Sequence, residues 1–275
     1  MENLKLPSDL KKDGKGLYYF DKKLTYDNLI IFDHYFDNVD NYKPLFYHAS
    51  GTNDYIIKHD INLSNGKDYI NMLKQFNLLR EKISNVDLPI GYYKDRFKVK
   101  GTIVRYYENS KSLKNIMSHY GLNEINNFYE HDEDNLHNLF LMLENILSLL
   151  EEMYQNGMYY YDTNDGNFVI YKNAVKIIDF EPCRVSFTYD NNSFSLIIAN
   201  YLKLVRKVLE RYHLPIYNLS LLPNDDTYKY KAKEYEIMKK EYLSKLNDFL
   251  NLIGNNFDSA KVYIKKIENN VRKDI

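Results

Sequence analysis

The stretch "YYYDTNDGNFVIYKNAVKIIDFE", from Tyr159 to Glu181, sets Asp162, Asn167 and Asp179 at the edges of two short β-like runs. Two carboxylates and a side-chain amide carbonyl are hard oxygen ligands. Such a set suits Mg²⁺, which takes one or two carboxylates and completes its shell with water and substrate phosphates. A carboxylate not bound to the metal can instead receive the proton of an attacking hydroxyl. Together these groups point to phosphoryl transfer.

That chemistry needs elements that hold the three residues still. Upstream, Leu136, Leu139, Phe140, Leu143, Ile146, Leu147 and Leu150 recur at helical spacing. Asp134 is placed to cap the start of this buried helix, and Gly157 to end it in a left-handed conformation. Downstream, "FVIY" and "VKIID" flank "KNA" and predict a hairpin. Taken singly, Asp-Gly-Asn is a common turn and Asp-Phe a common dipeptide. Asp162, Asn167 five residues on, the hairpin and then Asp179 together follow the kinase order, D-x-x-x-x-N and then a metal-binding Asp before Phe. The competing structural reading is an acidic hairpin with no chemistry.

The rest of the chain divides by periodicity. Over residues 1–108, "GLYYFDKKL", "NLIIFD", "PLFYHAS", "DYIIKHD", "PIGYY" and "VKGTIVRYY" are aromatic and β-branched runs bounded by turn residues, predicting an antiparallel sheet. One helical pattern interrupts it, "GKDYINMLKQFNLLREKIS", with Met72, Phe76, Leu79 and Ile83 on one face. Residues 109–275 are α-rich, with further helices expected in "FSLIIANYLKLVRKVLERY" and "YKAKEYEIMKKEYLSKLNDFLNLIG"; the Lys/Glu-rich face of the second reads as solvated. The expected class is α+β, with two packed halves.

"QNGMYYYDTNDGNFVIYKNAVKIIDFEPCRVS" resembles the catalytic region of the lipopolysaccharide core heptose kinases, and more broadly the kinase-like group that includes aminoglycoside and choline phosphotransferases. The likeness rests on Gly157-Met158, Asp162, Gly166-Asn167-Phe168 and Ile177-Ile178-Asp179, and runs from about Thr102 to Leu209. It implies a bilobal protein-kinase-like fold, with a β-rich N-lobe carrying one helix and an α-rich C-lobe, and it implies ATP and Mg²⁺. Asp162 is then the catalytic base, and Asn167 and Asp179 the metal ligands. Lys58, on a strand before the only helix of the first half, takes the position of the lysine that meets the nucleotide phosphates. The backbone of Arg105, Tyr106 and Tyr107 takes that of the connector that meets adenine. On the helix, Asp68 and Gln75 lie along the edge of the apolar face as candidate partners of Lys58, whereas Glu81 points almost opposite. The chain departs from the kinase pattern in having no G-x-G-x-x-G at a usable distance before Lys58, and in carrying Tyr160 where the first residue of H-x-D is usual.

Composition narrows the alternatives. With 37 Lys+Arg against 38 Asp+Glu there is no basic field for nucleic acid or anionic lipid. A single cysteine, Cys183, excludes an internal disulfide and fits a reducing compartment. The 7 histidines show no H-E-x-x-H or Cys/His metal spacing. The richest apolar run, "LFLMLENILSLL", falls short of the roughly 20 residues of a membrane span, so a cytoplasmic chain is expected. The 28 tyrosines are dispersed and form no tract. Between Asp179 and the next helix there is no A-P-E and little room for a peptide-docking loop, so the expected acceptor is a small molecule or glycan and not a protein. The competing function is a weak or inactive kinase-like module that binds a nucleotide or a partner.

Overall fold

The structure is a computed structural model and describes residues 5–25, 29, 45–49, 52–59, 66–127, 134–217, 219, 244, 247–248, 250–251, 254 and 256–275. It is a mixed α+β protein that divides into two compact units. One comprises Met1–Asn109 with Phe180–Cys183, the other Ser110–Asp179 with Arg184–Ile275. The sequence reading leaves Phe180–Cys183 in the second half; their contacts group them with the first.

In the first unit, β1 (Lys11–Lys12), β2 (Tyr18–Phe20), β3 (Leu45–His48), β4 (Tyr55–His59), β5 (Gly91–Asp95) and β6 (Lys98–Arg105) form one sheet in the order β1-β2-β5-β6-β4-β3. The expected antiparallel sheet needs one correction, because β2 and β5 pair in parallel. The tight turn at Arg96, whose φ is 54°, forces β5 and β6 to be antiparallel. No hairpin links β2 to β5, so nothing local sets their direction. The expected strand in "NLIIFD" lies outside the described residues apart from Leu29, which bridges to Tyr47.

Strand register separates two faces, since alternate side chains point to opposite sides. Phe20, Tyr47, Ile57, Tyr93 and Ile103 share one buried cluster. Lys58, one residue beyond Ile57 and opposite Phe46 and Thr102, faces the other way. Gly101 lets β4 and β6 approach here, for a Cβ on it would sit 2.1 Å from the Lys58 carbonyl oxygen.

Helix α1 (Gly66–Leu79) is shorter than its apolar pattern, because its end tightens where the Lys82 N–H bonds the Leu79 carbonyl. Its buried residues are Met72, Leu73 and Phe76, with Leu79 half-buried. The apolar face is thus rotated towards Leu73, as a stripe wider than a single row allows.

The second unit contains β7 (Lys111–Ser112), α2 (Leu113–His119), α3 (Asn135–Gln155), β8 (Tyr159–Tyr160), β9 (Phe168–Tyr171), β10 (Ala174–Ile177), β11 (Val185–Ser186), α4 (Ser193–Arg211) and α5 (Phe257–Asp274). Asp134 caps α3, its carboxylate accepting from the Leu136 and His137 N–H groups at 3.0 Å each. At the other end Gly157 has φ 77°, and the Met158 and Gly157 N–H groups bond the Met153 and Tyr154 carbonyls at 2.9 and 3.0 Å. Those two bonds form a Schellman motif. The α3 stripe is buried and α3 packs against α5, whose Ile264, Ile267 and Val271 are also buried. The helix expected over 230–254 falls largely outside the described residues, and α5 was not anticipated. Among the described residues no helix is long and apolar enough to cross a membrane.

Candidate active site

The Schellman turn of α3 delivers the chain into β8, where Tyr160 pairs with Val185 of β11. The Tyr161 N–H bonds the Arg184 carbonyl at 2.9 Å, and Asp162 follows immediately outside the sheet. Asn164 then opens a 3₁₀ turn over Asp165–Asn167, its side chain accepting the Gly166 N–H at 3.2 Å. The Asn167 N–H closes the turn on the Asn164 carbonyl at 2.9 Å. Ser, Asn and Asp compete well for backbone groups in this way, which is why "TNDGN" forms a capped turn here.

The hairpin β9–β10 returns the chain. Lys172 and Asn173, with φ of 48° and 59°, form its two-residue turn, as a hairpin of this length requires. At its far end the Ile178 N–H bonds the Asn167 carbonyl at 2.8 Å, so Asp179 emerges beside the Asp162–Asn167 loop. Asp179 has φ 69°. A left-handed non-glycine residue is uncommon and costs free energy, and such conformations gather at functional sites.

Tyr160 joins these pieces. It is completely buried, and its hydroxyl accepts from Asn167 Nδ2 at 3.2 Å and donates to the Asp179 carbonyl at 3.4 Å. Asn167 Nδ2 also donates to the Asp162 carbonyl at 3.1 Å. A carbonyl can only accept, so this bond fixes which end of the amide is nitrogen and leaves Oδ1 as the atom for a cation. Seen in sequence as a departure from H-x-D, Tyr160 is the hub of the loop, and a buried phenol needing one donor and one acceptor was the available signal.

The Asp162 carboxylate is one-quarter exposed, and Arg184 Nε lies 3.9 Å from its Oδ2. The Asn167 amide carbonyl with the Asp179 carboxylate fits a small hard cation that arrives with phosphates and needs few protein ligands. Among the described residues, no group of three or more His, Cys, Asp or Glu is arranged to hold a metal ion.

The remaining candidates lie in the first unit. Lys58 has a side chain only 12% exposed, and its Nζ lies 4.0 Å from the Glu181 carboxylate. Glu181 belongs to the Phe180–Cys183 segment, which docks through an edge-on contact of Phe180 with Phe76 of α1 at 5.5 Å. Nothing in the sequence marks this glutamate as a partner of Lys58, although it stands two residues after Asp179. Asp68 and Gln75 both lie exposed on α1, and Glu81 lies exposed beyond its end.

In the Arg105–Tyr107 segment the Tyr106 N–H is committed to the Asp54 carbonyl at 2.9 Å and is not free for another acceptor. The Arg105 guanidinium is buried 3.4 Å from Asp54. The Tyr107 hydroxyl donates to Asp87 at 2.6 Å. Burial, reinforced by the Asp87 charge, pushes this phenol far above its ordinary range, so it remains a donor. These contacts tie the segment to Asp54 and Asp87 of the same unit.

No protein-family model matches the chain, and no curated protein matches it.

Proposed function

We propose that the protein is an ATP-dependent phosphotransferase of the protein-kinase-like fold, its two units serving as the lobes, acting on a hydroxyl of a small molecule or cell-surface sugar. The observation that carries this is the Tyr160-centred network, which ties the Asp162–Asn167 loop to Asp179 through hydrogen bonds of one buried hydroxyl. The resemblance to the lipopolysaccharide core heptose kinases supports the same assignment.

Asp162 orients the acceptor hydroxyl and takes its proton. Its exposure suits contact with an incoming acceptor, and Arg184 holds positive charge beside it. Asn167 Oδ1 and the Asp179 carboxylate hold Mg²⁺. When bound, that ion neutralises charge on the phosphates. Lys58 meets the phosphates, and Glu181 takes the part of its acidic partner in preference to Asp68 or Gln75. A donor of this kind implies a cytoplasmic chain, in keeping with the lone Cys183.

The test is an ATP titration with and without Mg²⁺, followed by ADP release over a panel of sugars, glycan extracts and aminoglycosides. Asp179→Ala should abolish the Mg²⁺-dependent part of ATP affinity. Asp162→Asn should lower turnover by about 10²-fold or more with ATP affinity unchanged. Binding of ATP with no acceptor raising ADP release above the Asp162→Asn background would replace the enzyme with a nucleotide-binding module.

A further inference from the structure

Asp165 is the one carboxylate among the described residues that is fully buried, at 2% exposure. It sits in the 3₁₀ turn between Asp162 and Asn167. Its Oδ2 meets the Lys207 ammonium at 2.7 Å, while its Oδ1 is buried with no hydrogen-bond partner. A buried charge with an unsatisfied oxygen is costly and calls for an explanation.

Helix α4 supplies one. Ser193, Asn200 and Lys207 follow one another at intervals of seven, which is two turns less about 20°, so they form a single stripe along the helix. Each holds the same loop. The Ser193 and Tyr161 hydroxyls share a hydrogen bond at 3.0 Å, and Asn200 Nδ2 donates to the Tyr161 carbonyl at 2.8 Å. Lys207 completes the series at Asp165. The helix does not need the ion pair for its own docking, because Ile197, Ile198, Leu202, Val205, Val208 and Leu209 are already buried. The desolvation cost falls at the loop end, since the Lys207 side chain is 57% exposed.

We infer that the Asp165–Lys207 pair is a latch that fastens the Asp162–Asn167 loop to α4, making both positioning residues for the chemistry of that loop. The catalytic part of this inference rests on the phosphotransferase reading, whereas the latch itself does not. Removing Lys207 leaves a buried charge without compensation, so the loop opens to hydrate it. Removing both charges relieves that demand.

Hydrogen exchange on the full chain reads the latch directly. In Lys207→Met, exchange in a peptide covering 161–168 should rise about tenfold, with α3 and the β9–β10 hairpin unchanged. Lys207→Arg should restore protection, and Asp165→Asn combined with Lys207→Met should exchange more slowly than Lys207→Met alone. Unchanged exchange in Lys207→Met, or a uniform rise through the second unit, would overturn the latch. In the activity arm, kcat of Lys207→Met should fall about 10- to 100-fold with KM for ATP within about twofold of wild type. Local loosening with kcat intact would overturn the positioning role. A wild type that binds no ATP would refute the phosphotransferase reading and leave the exchange result to decide the latch.

Discussion

Replacing Tyr160 by Phe tests whether the candidate site is organised by the bonds seen around it. The ring is fully buried and Phe fills the same space, so no cavity is made and no water replaces the hydroxyl. What is lost is one bond accepted from Asn167 at 3.2 Å and one donated to the Asp179 carbonyl at 3.4 Å. A well-formed bond contributes about 1 kcal/mol net, and both of these are at the long end, so the loss in stability should be about 1 to 1.5 kcal/mol. The effect on the site follows from Asp179. Its φ of 69° is disfavoured by about 1 kcal/mol or more, and the Tyr160 hydroxyl is one of the groups holding its carbonyl. On the phosphotransferase proposal, removing about 1 kcal/mol of bias should cut the metal-competent population, and hence Mg²⁺-dependent ATP affinity, by about three- to tenfold. Asn167 keeps its bond to the Asp162 carbonyl, which is why the loss is partial. Urea unfolding gives the first quantity, and calorimetric ATP titration with and without Mg²⁺ gives the second. Lower stability with unchanged Mg²⁺-dependent affinity would refute the reasoning, as would an equal loss of affinity without the metal.

Three further outcomes follow from the fold. Burial raises the Glu144 carboxyl above its ordinary value of 4.5, against the opposing charge of Lys265. A raised carboxyl favours folding below the unfolded pKa and loses that contribution as pH rises through the folded one. Glu144→Gln should therefore raise Tm at pH 7, with the gain vanishing below pH 4.5. Asp134 behaves oppositely: partial burial pushes its carboxyl up, but the His137 and Leu136 N–H groups and the Arg272 guanidinium hold it below 3.8. Asp134→Ala should cost about 1 kcal/mol at pH 7, and the difference from wild type in urea melts should fade as pH falls through that lowered pKa. Gly101→Ala should destabilise by about 1 to 3 kcal/mol, because its Cβ meets the Lys58 carbonyl, whereas Gly121→Ala, with nothing within 4 Å, should be close to neutral. Equal denaturation midpoints for the two glycine variants would show that β4 and β6 do not approach as described.

Features set by neighbours within a few residues were legible from the sequence. The α3 stripe, its Asp134 cap and its Gly157 terminus depend on helical period and capping chemistry, and all three occur as expected. The β9–β10 hairpin is equally local, as is the spacing that puts Asp162 and Asn167 on one short loop, joined by the Asn167 amide bond to the Asp162 carbonyl. Which distant groups meet was not legible, because propensity and period carry no information on partners far away in the chain. The parallel pairing of β2 with β5 joins strands some 70 residues apart, and no turn chemistry specifies it. Glu181 comes to Lys58 because Phe180 docks on Phe76, and the partners sought on α1, Asp68 and Gln75, lie on its exposed side. Tyr160 looks like a lost histidine until the hairpin returns Asp179 to its hydroxyl. Asp165 looks like a turn residue, and only the packing of α4 makes it a buried charge with Lys207 beside it. Local rules set the residues that can do chemistry on their elements; the tertiary structure chose their neighbours, because burial and pairing arise only when the elements close on one another.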